Sequence, residues 1–259
     1  MKKIFYMIFL LVGLELFAEV EVEKVIVATR GDIKVIEASE DIRYLSQKIV
    51  KDYIFFYKNQ SKMMVKKNLD QALFDLSEDL RIIATTTKDS DTKDILEFLA
   101  YSKDQIDEIF LGKPNKEKVA LMLDYSETLL EGANSIATSH RYDFSQEEEM
   151  IMVTKEMEYL LERITKYYMA LHVGFNSPTN KDQMQESIAQ FENNMKQINR
   201  YQYPSEFYDI QESINQSWRI NKTFFDKSES LFIPKLMFTS VNYMEDLVLK
   251  IALYHAKNQ

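Results

Sequence analysis

Arg43, Ser46 and Gln47 lie within the segment RYLSQKIVKDY, residues 43–53, and are the side chains of this chain best suited to hold a ligand. A guanidinium can grip a carboxylate or a small oxyanion through two parallel N–H donors, and a hydroxyl and a carboxamide beside it can add hydrogen bonds. Other chemistry finds little support. His140, His172 and His255 are the only histidines, and none has the His-x-x-Glu spacing that holds di-iron centres in helical bundles. Cysteine is absent, which removes disulfides, thiolate metal sites and c-type haem attachment. The acidic run Glu147, Glu148, Glu149 follows Ser145, and Ser145 with Glu148 reads as a capping box that starts a helix. No catalytic residue, metal ligand or cofactor is assigned, and the chain reads as non-enzymatic.

The element that must position Arg43 is a helix. At 100° per residue, Ile42, Leu45, Ile49, Tyr53 and Phe56 fall on one arc, while Arg43, Gln47, Val50 and Ile54 share the adjoining one. The first arc is a core stripe. The second is partly apolar, so it calls for another contact surface, either a further helix or a second copy of the chain in a homodimer through this first helix.

The rest of the chain follows the same period. Apolar residues recur every three or four positions, as at Leu121, Tyr125, Leu129, Gly132 and Ile136, and breaks such as TTTKDSD, LGKPNK and GFNSPTN separate eight helical segments. Only 5 glycines and 4 prolines leave little of the turn chemistry that hairpins need, so the fold class is all-α. Gly132 is expected to let two helices approach closely. Met150, Met152 and Met157 read as core fillers, and Trp218 and the 15 tyrosines as packing residues. A net charge of −9 without a segregated basic face argues against a nucleic-acid partner.

Sliding the chain against itself by 115 residues lays RYLSQKIVKDY over EYLLERITKYY at 158–168, Met122 over Met237, and IATSH over IALYH. Phe74 is matched with Phe191 at a slightly different offset. This predicts a duplicated module of about 115 residues, each copy an antiparallel four-helix bundle, over residues 19–142 and 143–259. Residues 1–18 have two lysines, an apolar run from Ile4 to Leu14 and a small residue at Ala18, the layout of a signal peptide. Export to the periplasm is expected.

The segment ASEDIRYLSQKIVKDY resembles the first-helix signature of the PilJ/NarX-type sensor domains, found in the extracytoplasmic part of bacterial chemotaxis transducers and nitrate/nitrite sensor kinases. Arg43, Leu45, Ser46, Gln47, Lys51 and Tyr53 match, with Lys48 where the family usually has arginine. FENNMKQI and INQSWRINKTFF resemble the family's second and third helices. The resemblance implies four-helix bundles, and it implies that Arg43 contributes to binding a small anion such as nitrate or nitrite at a dimer interface. Two departures matter. Glu40 stands where the family has glycine, one turn before Arg43, placed to pair with the guanidinium and disfavour an anion. In the second copy Glu158, Leu161 and Glu162 replace the arginine, serine and glutamine. With no output domain before the chain ends at Gln259, a free-standing sensor-like module is expected, which would signal through a membrane-bound partner. The alternatives are a structural scaffold that binds other proteins and, further back, a metal-binding bundle.

Overall fold

Short polar side chains set the helix starts. Thr29 accepts from the amide of Asp32, whose carboxylate returns the bond, and Ser145 and Glu148 form the same reciprocal pair, as their spacing predicts. Asp89, Asn115 and Ser177 cap three further starts with one side-chain bond each. The computed structural model describes residues 29–60 and 63–259; the signal peptide expected at residues 1–18 lies outside them. Among the described residues there are eight α-helices and no strand.

Helix α1 (Arg30–Lys58) packs on α2 (Met63–Thr86) and α4 (Lys116–Ser139), and α3 (Ser90–Leu111) closes this set against α2 and α4. Helix α5 (Gln146–His172) packs on α6 (Pro178–Arg200) and α8 (Pro234–Lys257). Helix α7 (Tyr208–Asp226), entered through a 3-10 turn at Ser205–Phe207, lies against α8 and α6. The self-match offset recurs in the element bounds: α2 and α6 begin 115 residues apart, and so do Ser90 of α3 and Ser205 of the 3-10 turn. Gly174 ends α5 with a φ of 93°, a left-handed turn that suits glycine.

The two sets meet through α1 and α5, which pack along each other. The core stripe Ile42, Leu45, Ile49 and Tyr53 is buried, but so are Gln47, Val50 and Ile54 on the adjoining arc. The second contact surface of α1 is therefore covered by a helix of the other half of the same chain. As a result the centres of α1 and α5 are buried on all sides, unlike an ordinary amphipathic helix with one wet face.

One sequence equivalence needs correction. Phe191 is fully buried, whereas Phe74 is 61% exposed. The constant offset between α2 and α6 places Leu76, also fully buried, opposite Phe191. Aromatic identity misled the alignment, because the buried position takes leucine in one half and phenylalanine in the other.

Gly132 does allow a close approach of α3 to α4. A Cβ added there would come within 2.4 Å of Leu99 Cδ2 and 3.3 Å of Ile95 Cγ2. Gly132→Ala should therefore destabilise by about 1–2 kcal/mol: overpacking costs about 1–3, and the gain in helix propensity returns up to about 1. Urea unfolding followed by circular dichroism measures it, and a more stable variant would show that Leu99 yields freely.

Candidate functional site

Arg43 emerges from the middle of α1 beside a cavity of about 480 Å³ where α1, α4 and α5 converge. Ile36, Glu40 and Arg43 form one wall, Asn134, Ala137 and Thr138 a second, and Glu149, Met152, Val153 and Glu156 a third. Arg141 and Phe144, from the loop joining the two halves, close one end. The volume falls in the range of small-molecule sites.

The arginine is already engaged. Its Nη1 donates to Glu40 Oε2 at 2.5 Å, and its guanidinium carbon lies 4.2 Å from the centre of the Tyr159 ring, a cation–π contact. Burial, the largest influence, pushes the Glu40 carboxyl up, and the attraction of Arg43 opposes it. The guanidinium keeps its proton, so the short bond to Glu40 is charge-assisted.

Ser46 and Gln47, grouped with Arg43 by the sequence, point elsewhere. Ser46 Oγ donates to the Arg43 carbonyl at 2.7 Å, and Gln47 Nε2 donates to Ser46 Oγ at 2.9 Å and to the Ser126 carbonyl at 3.3 Å. Both side chains are buried and neither lines the cavity. Their bonds are spent locking α1 against α4, so the three residues form one chain of contacts with only Arg43 at the cavity.

A second polar centre, which the periodicity hid, lies deeper between the halves. Lys51 is fully buried, with Nζ 2.6 Å from Glu162 Oε2, 3.5 Å from Asp52 Oδ1 and 4.4 Å from the centre of the Phe238 ring. Lys48 adds a further ion pair to Glu162 at 3.1 Å. Burial works to raise the Glu162 carboxyl, but Lys51 and Lys48 outweigh it and hold it down at about 2. Glu245 of α8 is pushed well above its ordinary range, by burial first and then by the negative Glu162 beside it. The equivalent lysine, Lys166, is also fully buried and pairs with Glu127 at 2.5 Å and with Ser126 Oγ at 3.0 Å. Burial, against the pull of Glu127, lowers its ammonium to about 8. Lysine at both ends of the 115-residue offset, Lys51 and Lys166, was the available signal for this centre. Charged residues on a helix otherwise read as its wet face.

The histidines serve closure of each half. His140 Nδ1 donates to Asp32 Oδ1 at 2.9 Å, and His255 Nδ1 donates to Glu147 Oε2 at 2.5 Å, so the end of each half's last helix is tied to the first turn of its first. The two pairs are related by the 115-residue offset in both partners. Each ring thus binds a carboxylate of another helix. Among the described residues no three histidine, aspartate or glutamate side chains converge as metal ligands would. Nor is any described helix long and apolar enough to cross a membrane.

Comparison with family models, curated proteins and solved structures gives no match.

Proposed function

We propose that this chain is a non-enzymatic, sensor-like periplasmic protein, a tandem duplication whose two halves enclose a small-ligand site. The observation that carries this is the cavity beside Arg43, bounded by both halves and by the loop that joins them. A ligand bound there touches α1, α4 and α5 together, and so would favour whichever arrangement of the two first helices fits it best. A membrane-bound signalling partner would read that preference. The N-terminal sequence supports export.

An oxyanion, the ligand implied by the resemblance, would have to displace Glu40 from Arg43 in a cavity that also holds Glu149 and Glu156. Thermal shift over nitrate, nitrite, other oxyanions, amines, amino acids and sugars tests the site. A ligand at a hundred times its Kd should stabilise by about 2.7 kcal/mol. Ala137→Trp, which fills the cavity, should abolish the shift while leaving the fold intact by circular dichroism. If no compound stabilises, the scaffold reading takes over; the exposed aromatics Phe74, Phe98 and Tyr101 on α2 and α3 favour it as the second choice.

A further inference from the structure

The charges around the cavity do not cancel, and the remainder selects a class of ligand. This inference rests on the reading of the cavity as a binding site. Arg43 and Glu40 neutralise each other. Three charged groups are left on the walls: Arg141, Glu149 and Glu156. Among the described residues none of the three has an ion-pair partner. Glu156 accepts only from the amide nitrogen of Asn194, at 3.0 Å, and Arg141 only lies across the Phe144 ring, its guanidinium carbon 5.4 Å from the centre.

Two carboxylates against one guanidinium leave the site with a single excess negative charge. An inorganic anion meets net repulsion there and would leave most of 480 Å³ unfilled. A bare cation would satisfy the carboxylates and leave Arg141 opposed by like charge. A molecule with an ammonium at one end and a carboxylate at the other answers both, and Ile36, Met152, Val153 and Phe144 offer an apolar lining for the carbon skeleton between them. We propose that the cavity between α1, α4 and α5 binds an amino-acid zwitterion, its ammonium at Glu149 and Glu156 and its carboxylate at Arg141.

The test uses the full chain and calorimetric titration with the standard α-amino acids and γ-aminobutyrate. Each binder is compared with the same molecule lacking its amine and with its methyl ester, and sodium nitrate and sodium acetate serve as anion probes. The proposal expects at least one amino acid to bind and both of its truncated forms to bind at least tenfold more weakly. Glu156→Gln, Glu149→Gln and Arg141→Gln should each weaken binding about tenfold or more, while urea midpoints show that the variants are folded. Amino-acid binding unchanged in all three variants would place the ligand elsewhere and overturn the proposal. Binding of nitrate but of no amino acid, abolished by Ala137→Trp, would overturn the ligand class and keep the cavity as a site. Binding of no probe of any class would remove the site reading and this inference with it.

Discussion

Replacing Lys51 with methionine should lower the unfolding free energy by about 3–5 kcal/mol, the usual cost of removing one partner from a buried ion pair. Methionine keeps the unbranched stem and much of the volume, so a cavity would account for little of the loss. The cost is electrostatic. With Lys51 gone, the buried carboxyls of Glu162, Asp52 and Glu245 face Lys48 alone. Desolvation makes that arrangement far dearer than the loss of an outer pair such as Lys155–Asp41, which is worth about 0–1 kcal/mol. Urea unfolding measures the difference. The double change Lys51→Met with Glu162→Leu should recover most of the stability, because an apolar pair of similar volume can replace a buried ionic one at little cost. A loss below about 1 kcal/mol for the single variant would show that water reaches the centre and screens it.

Stability should fall by about 2–3 kcal/mol as the pH rises from about 5 to about 8. Glu158, 115 residues beyond Arg43, is pushed up to about 7, chiefly by burial, with Lys155 opposing the rise and Asp41 adding to it. Asp79 is also pushed up to about 7, by burial and then by Asp41 and Asp75. A carboxyl whose pKa is raised in the fold holds its proton there after the unfolded chain has lost it. Its contribution is complete below the unfolded value, about 4, and disappears as the pH rises through about 7. At about 1.4 kcal/mol per pH unit the two shifts sum to more than the figure given, which is reduced because both groups are partly exposed. Carboxylates held low, among them Glu162, Glu127, Glu147, Glu148 and Asp32, act in the opposite sense only in acid, where stability is lost as the pH falls below their ordinary range. A maximum near pH 5 results. Melting temperatures across this range check it: Glu158→Gln with Asp79→Asn should flatten the alkaline limb, and a midpoint that climbs from pH 5 to pH 8 would refute the assignment.

Gly132 stood out as a glycine inside an apolar stripe, and the helices and the Ser145–Glu148 cap were legible in the sequence because each depends on residues three or four apart. The Arg43–Glu40 pair was legible for the same reason. The destination of Gln47 was not, since its partner Ser126 lies some eighty residues away and belongs to α4, and Ser46 is drawn into that contact by its bond from Gln47. Phe74 shows the limit of matching by residue type when hydrophobic size is free to vary between equivalent core positions. The charges that define the cavity were hidden more thoroughly. Glu149 reads as part of a helix start and Arg141 as loop; the seven-residue spacing puts Glu149 and Glu156 on one face of α5, but only the packing of α5 on α1 sets that face beside Arg43. The buried Lys51 centre escaped because a periodicity argument assigns every charge to solvent and cannot register charges that are buried in pairs.

The histidine–carboxylate ties have a topological consequence. Each joins residues 108 apart, bringing the end of a half's fourth helix to the start of its first. Each half is thus nearly a closed loop, and the order in which its four helices are read is not imposed by their packing. Cutting such a loop at an outer turn and rejoining it at the histidine tie would give a circular permutant with the same core. The tie also carries a kinetic penalty. A contact this distant in sequence raises the contact order of a helical chain, as do the α1–α5 ion pairs Lys51–Glu162 and Lys155–Asp41 of similar separation.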